Sequence, residues 1–213
     1  MKYDYLKRFI DVALSVALLF IFLPIVLITA VIIKITSPGP ILADTPKRVG
    51  KKGKLFFLFK FRSMIPNAYE LLKTEPKFRK AYREQQTGGT YKIRDDPRVT
   101  PVGRFIRKHS IDEIPQLFNV LRGDMSLVGP RAYYFDELKT QQSKFPETQD
   151  LVSQVLSVKP GITGYWQVSG RSEVNFDKRI AMDAYYAREK SFWLDLAIIL
   201  KTPWVMLTGK GAI

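Results

Sequence analysis

The chain has 213 residues, with 34 Lys and Arg against 20 Asp and Glu, a formal charge of +14, 46% apolar residues, one His and no Cys. That apolar share is enough for a core and excludes wholesale disorder, and the length allows one domain or one domain with an appendage. Zero Cys excludes disulfides, thiolate-bound zinc, iron–sulfur clusters and a thiol nucleophile, and His109 alone cannot make a multi-His metal site within one chain, so a metal would be held by carboxylates, as hard ions such as Mg²⁺ are.

The charge is unevenly placed. Residues 1–33 carry 3 basic and 2 acidic side chains, residues 34–108 carry 19 and 6, and residues 109–213 carry 12 of each. A basic stretch of this kind points to an anionic partner: nucleic acid, an anionic membrane or a phosphorylated substrate.

Val12 to Ile33 is free of charge and apolar on every face. At about 1.5 Å per residue it is long enough for a bilayer core of about 30 Å. A cleaved signal peptide is disfavoured, because the run is long and no small-residue cleavage site separates it from Lys34. Pro24 lies near the middle and removes a backbone donor, which predicts a kink. Lys2, Lys7 and Arg8 precede the run and Lys34, Lys47 and Arg48 follow it. Basic flanks belong on the cytoplasmic side, and both satisfy that rule only if the segment enters and leaves by one face. A re-entrant helix-break-helix is therefore favoured over a spanning helix, giving a membrane unit at 1–36 and a cytosolic-face domain at 37–213.

Beyond the break at Ser37-Pro38-Gly39-Pro40, Leu55–Phe61 reads as a short buried strand. A helix is expected from Pro66 to about Gln86, interrupted near Pro76. Residues 91–100 form a polar loop in which Asp95 and Asp96 are turn residues before Pro97 rather than metal ligands. Short helices are expected at Val102–Lys108 and Asp112–Leu121, with His109 a packed or capping residue. Longer ones are expected at Tyr133–Phe145 and Asp177–Lys190. Ser191–Leu207 is apolar with Trp193 and Trp204 near its ends; it suits either a core helix or one lying in a membrane interface. The fold class is α+β, mostly helical with a few short strands, and carries amphipathic interface helices.

Nucleotide fingerprints of the Walker or GxGxxG kind are absent. Asp112 and Glu113 are adjacent carboxylates at a helix start, either under a Ser110 capping box or with Asp112 itself as cap before Pro115. A purely capping Asp112 remains open on these residues. Arg104, Arg107, Lys108, Arg122 and Arg131 surround the pair in sequence, and a carboxylate attacking a phosphoryl centre needs such cations to offset repulsion between anions. Gly129-Pro130-Arg131 and Lys159-Pro160-Gly161-Ile162-Thr163-Gly164 are turns of the kind that expose backbone N–H groups to anions, with Gln167 and Arg171 following beside Tyr165 and Trp166.

Ile111–Ala132, IDEIPQLFNVLRGDMSLVGPRA, together with KPGITGYWQVSGR at 159–171, KFRSM at 60–64 and the N-terminal KRFIDVALSVALLF run, resembles the bacterial sugar transferases, the monotopic phosphoglycosyl transferases. The resemblance covers nearly the whole chain. It implies an enzyme of the cytoplasmic face of the bacterial inner membrane that transfers sugar-1-phosphate from a UDP-sugar to polyprenyl (undecaprenyl) phosphate, releases UMP, and so starts the assembly of capsule, exopolysaccharide or another glycoconjugate. It further implies Mg²⁺, a covalent phosphosugar intermediate on Asp112 with Glu113 beside it, and a re-entrant helix broken at Pro24. Asp112 is the expected metal-linked carboxylate. Lys60, Arg62, Arg107, Pro130, Arg131, Gln167 and Arg171 are the expected phosphate- or nucleotide-binding residues. Expected partners are the two substrates and anionic lipid, without nucleic acid; a homo-oligomer is compatible with the sequence. Leu23 stands where many members have Ser before the Pro, and Ala132 where many have Pro, so the sugar is not carried over. The chain opens at the catalytic unit, either as a minimal member or as a piece of a larger one. The alternative is a membrane-tethered basic protein that binds anionic lipid or nucleic acid, which leaves the carboxylate pair idle.

Overall fold

The computed structural model describes residues 2–87, 93, 95–169 and 175–208. The first element, α1, runs from Lys2 to Thr36 as one helix with Pro24 inside it. The expected helix-break-helix is thus not an interruption of the helix: the chain stays helical through Pro24. Proline removes one hydrogen bond, and the flanking run of Leu, Ile, Val and Phe has no polar side chain to offer the backbone another partner outside the helix.

Both ends of α1 pack on the rest of the protein. Near its start, Arg8 donates to the carbonyls of Val120 and Leu121 at 2.6 and 2.9 Å, and Asp11 accepts from the Leu127 N–H at 3.0 Å. Tyr3 and Lys7 reach Asp195 at 2.9 and 2.7 Å. Near its end, Ile33 is buried against Phe61 and Ile106, and Arg62 clamps the connector that follows. Between them, Val16, Phe20, Ile21, Leu27, Ile28 and Val31 are exposed, a contiguous apolar surface of the size that marks contact with lipid or another apolar partner.

The expected strand at Leu55–Phe61 is shorter. Leu55–Phe56 (β2) pairs antiparallel to Arg48–Val49 (β1), and at the far end Phe61 makes an isolated antiparallel bridge to Leu42. Residues 57–59 run on without a partner strand, and buried Asn119 supplies one in miniature: its Oδ1 accepts from the Phe59 N–H at 2.8 Å and its Nδ2 donates to the Phe57 carbonyl at 2.7 Å. The helical reading of 66–86 resolves into α2 (Ala68–Thr74) and α3 (Arg79–Thr87), parted at Pro76. The next helix, α4, is Pro101–Lys108, with Thr100 accepting from the Gly103 N–H at 2.9 Å as its N-cap. Asp96 is buried and paired with Arg98 at 2.6 Å, a turn residue as expected. His109 is exposed, with Nδ1 2.9 Å from the Phe105 carbonyl, also as expected.

Two further strands, Ser126–Val128 (β3) and Gly161–Thr163 (β4), pair in parallel. The helices α5 (Gln116–Arg122), α6 (Phe135–Lys144), α7 (Gln149–Val155), α8 (Tyr165–Ser169), α9 (Phe176–Glu189) and α10 (Phe192–Thr208) surround them. One core joins β2, α5, β3 and α10 with Leu18 and Leu19 of α1; another joins Tyr133, Leu138, Val152 and the buried face of α9. In α10, Ile198 is buried while Trp193, Leu200 and Trp204 are exposed. One face of that helix is core, and the other is an uncovered apolar strip.

Candidate active site

Asp112 lies in a single 3₁₀ turn, Ile111–Glu113, between α4 and α5. Both expected capping arrangements fail. Ser110 adopts φ +55° and makes no side-chain cap, and α5 begins only at Gln116. Pro115 explains this: it has no N–H to give, and its ring crowds the carbonyl four residues back, so the regular helix starts after it. The turn is fixed from outside. The Phe61 N–H donates to the Asp112 carbonyl at 3.0 Å, which sets Lys60 beside the carboxylate.

Asp112 is 2% exposed, and its Oδ2 lies 2.8 Å from Lys60 Nζ. The same ammonium is 3.4 Å from Glu113 Oε1, and Glu113 is the more open of the two carboxylates. Burial raises the pKa of Asp112 above the ordinary carboxylate range, and Glu113 adds to that; Lys60 and Arg107 pull it back down. For Lys60, burial alone would lower the pKa, but the two carboxylates outweigh it and the ammonium is held charged. The net shift of Asp112 is upward, with burial outweighing the pull of Lys60 and Arg107, so the neighbouring ammonium is what favours its ionised form.

The pair opens into a cavity of about 1070 Å³. Its apolar lining includes Leu14, Leu18 and Phe22 of α1 and Ile199 and Val205 of α10. Arg48, Lys60, Arg107, Arg131, Trp166 and Gln167 are part of its polar lining. One cavity therefore brings apolar side chains of α1 and α10 together with cationic side chains and two carboxylates.

The turn bearing Arg131 is held by close backbone contact. A Cβ at Gly161 or Gly164 would collide with the backbone of Gly129, and a Cβ at Gly129 would lie 2.5 Å from the Lys159 carbonyl oxygen. The two glycine turns are thus pressed face to face, and the Gly161 N–H donates to the Pro130 carbonyl at 2.8 Å. Behind them, Asp183 accepts from the Arg131 N–H at 3.1 Å and the Tyr133 hydroxyl at 2.8 Å. Complete burial raises the Asp183 pKa to about 7. Glu137, also fully buried, takes Arg179 at 3.0 Å and lies 4.0 Å from Arg131.

Of the residues expected from sequence, the structure brings Asp112, Glu113, Lys60, Arg107, Arg131 and Gln167 to this cavity. Arg62 touches its edge but serves elsewhere. It donates to Pro40, Pro38 and Ser37 at 2.6 to 2.9 Å, so its guanidinium is taken up in holding the end of α1 rather than in facing a ligand. Pro130 does not line the cavity; its carbonyl locks the two turns together. Arg171 lies outside the described residues. Sequence reading missed Arg48, which enters from β1. Its Nη1 donates to the Ala132 carbonyl at 3.0 Å, and its guanidinium sits 3.3 Å from the Tyr134 ring centroid. A lone Arg followed by Lys51, Lys52 and Lys54 has no pattern that separates it from a solvated basic run.

A family model described as bacterial sugar transferase matches residues 2–209. The undecaprenyl-phosphate galactose phosphotransferase of Salmonella typhimurium is 43% identical over 212 residues, 98% of this chain and 42% of that protein. The galactosyl transferase CpsE of Streptococcus agalactiae is 43% identical over 216 residues, 99% of this chain and 44% of that protein. The chain thus spans less than half the length of these two relatives. The exopolysaccharide production protein ExoY of Rhizobium meliloti is 40% identical over 210 residues, 97% of this chain and 87% of that protein. Matched from end to end of its described structure, the chain belongs to the bacterial sugar transferase family.

Proposed function

We propose that the chain transfers sugar-1-phosphate from a UDP-sugar to polyprenyl phosphate at a membrane surface, with Asp112 as the nucleophile. The observation that carries this reading is the placement of Asp112: a buried carboxylate, paired with Lys60 at 2.8 Å, at a cavity lined by both cationic and apolar side chains. The names of the relatives, which include undecaprenyl-phosphate and UDP-galactose-lipid carrier transferases, support the same chemistry.

An Asp112 carboxylate oxygen attacks the β-phosphorus of the UDP-sugar. A bond forms between that oxygen and phosphorus, the bond from phosphorus to the bridging oxygen breaks, and UMP leaves with the electron pair. A phosphate oxygen of polyprenyl phosphate then attacks the aspartyl phosphosugar, Asp112 leaves as carboxylate, and the lipid diphosphosugar is the product. Lys60 favours the ionised form of Asp112 before the first attack and receives it when it is released. Arg107 adds positive charge where three anionic groups meet.

Adjacent carboxylates on one turn, Asp112 and Glu113, fit a hard divalent ion that takes one or two protein carboxylates and completes its shell with phosphate oxygens and water. Among the described residues no group of three or more candidate ligands exists, so the protein's share is limited to this pair. Mg²⁺ held there would neutralise diphosphate charge.

The membrane reading is monotopic. Residues 3–11 of α1 contact α5, β3 and α10, while Ile33 contacts the segment around Phe61 and α4. Contacts at both ends of α1 with the catalytic body support this reading over a spanning helix. The exposed apolar band of α1 and the strip of Trp193, Leu200 and Trp204 on α10 then face lipid, at the cytoplasmic leaflet of the inner membrane. A UMP-release assay across a panel of UDP-sugars, with and without polyprenyl phosphate and a chelator, tests the reading. UMP release with at least one sugar is expected; none with any sugar contradicts it.

A further inference from the structure

The cationic lining of the cavity holds buried N–H groups that no acceptor meets. Arg48 is 8% exposed and Trp166 4%. The Nε of Arg48, the Nε of Arg131 and the indole Nε1 of Trp166 are all buried and without a hydrogen-bond partner among the described residues. All three residues line the same cavity. The Arg131 guanidinium carbon is 5.9 Å from the Trp166 ring centroid, so these two donors belong to one patch. Arg48 is tied to that patch through the Ala132 carbonyl, one residue after Arg131, and through the Tyr134 ring.

Buried donors are ordinarily answered, because leaving them without an acceptor forfeits the hydrogen bonds they made in water. The charges around them do not close either. Among the described residues the acidic groups around Arg48, Arg131 and Arg179 are Glu137 and Asp183, both fully buried, and more distantly Glu113; Glu137 is shared between Arg179 at 3.0 Å and Arg131 at 4.0 Å. What would balance this patch is an acceptor-rich anion, and planar guanidinium groups match phosphate oxygens in geometry as well as charge. The electrostatic influence of Glu113 reaches both Arg48 and Arg131, which puts the patch near the reacting carboxylates. Lys60 and Arg107 already serve Asp112, so the donors here are free for a different phosphate.

We propose that Arg48 and the indole N–H of Trp166, with Arg131, form an oxyanion pocket that binds a substrate phosphate other than the one attacked by Asp112. The inference rests on the transferase reading above. Two sources supply that chemistry: the α-phosphate of the nucleotide sugar, which leaves in UMP, and the phosphate of the polyprenyl acceptor.

The test uses the full chain in detergent or nanodiscs and three variants, Trp166→Phe, Arg48→Lys and Arg48→Met. Trp166→Phe keeps an aromatic ring and removes only the donor and part of the ring system. KM is measured separately for the UDP-sugar and for polyprenyl phosphate, alongside the melting temperature. Trp166→Phe is expected to raise one KM about tenfold, the scale of one lost hydrogen bond to a charged group. Arg48→Met is expected to raise the same KM further, and Arg48→Lys to recover part of it. A rise in the UDP-sugar KM assigns the pocket to the nucleotide phosphate, and a rise in the other assigns it to the acceptor. Trp166→Phe and Arg48→Lys proteins that melt like the wild type and keep both KM values within about twofold overturn the proposal, whether or not Arg48→Met folds. Failure of the wild-type chain to release UMP from any UDP-sugar would instead defeat the transferase reading, so the two failures are distinct.

Discussion

Burial and Lys60 act in opposite directions on the protonation of Asp112, with burial the larger. Burial raises the Asp112 pKa and Lys60 lowers it, while attack on phosphorus needs the ionised form. Removing the ammonium therefore raises the Asp112 pKa and moves the acidic limb of activity to higher pH. The Lys60→Met protein is expected to show that limb shifted up by about one pH unit or more in a profile of kcat/KM for UMP release. A limb that stays in place or moves to lower pH contradicts the pairing. The Asp112-Glu113 pair stood out as adjacent carboxylates among cations, but on those residues alone a capping role stayed open, and the nucleophile reading came from the family resemblance. Lys60 and Arg131 were legible from the motifs that contain them. Arg48 was not, because its role comes from a two-residue strand that brings it to Ala132 and Tyr134, and chain distance hides that contact. Arg62 shows the converse: the same motif that contains Lys60 suggested a ligand-facing residue, yet its guanidinium meets the carbonyls at the end of α1.

At the scale of elements, the parallel pair β3–β4 places the Arg131 turn against Gly161 and Gly164 with no room for a side chain. Gly161→Ala is expected to push the 129–131 turn out of place, at a cost of about 1–3 kcal/mol in stability, typical of overpacking. UMP release should fall by about tenfold or more, as it does when a positioning group shifts by about an ångström. Unchanged activity and melting temperature in that protein would show that the turn does not need this contact. The helices α4, α6, α9 and α10 begin and end within one or two residues of expectation, whereas α5 starts four residues late and the short α7 and α8 were not expected. The strands were not legible: two- and three-residue strands carry no period, and Asn119 stands in for a partner that sequence cannot reveal. Pro115 was read correctly as an obstacle, but it delays α5 to Gln116 and leaves Asp112 in its own turn rather than capping a helix.

At the scale of the molecule, the charge of +14 concentrates between the apolar helix and the carboxylate pair, which suits a body lying on anionic lipid and handling phosphorylated substrates. The chain has no Cys, so single cysteines report topology cleanly. A Tyr5→Cys protein, changed at a site 76% exposed, is expected to react with an impermeant maleimide from the same side of sealed membrane vesicles as a Lys139→Cys protein on α6. Reaction from opposite sides would contradict the monotopic placement. The most direct test of the central claim is covalent trapping. Incubated with a UDP-sugar labelled at the β-phosphorus and no acceptor, the protein is expected to release UMP and carry the label on Asp112. Polyprenyl phosphate should discharge that label, and Asp112→Asn should show neither label nor turnover. Normal turnover by Asp112→Asn, or stable label at another residue, would contradict the account.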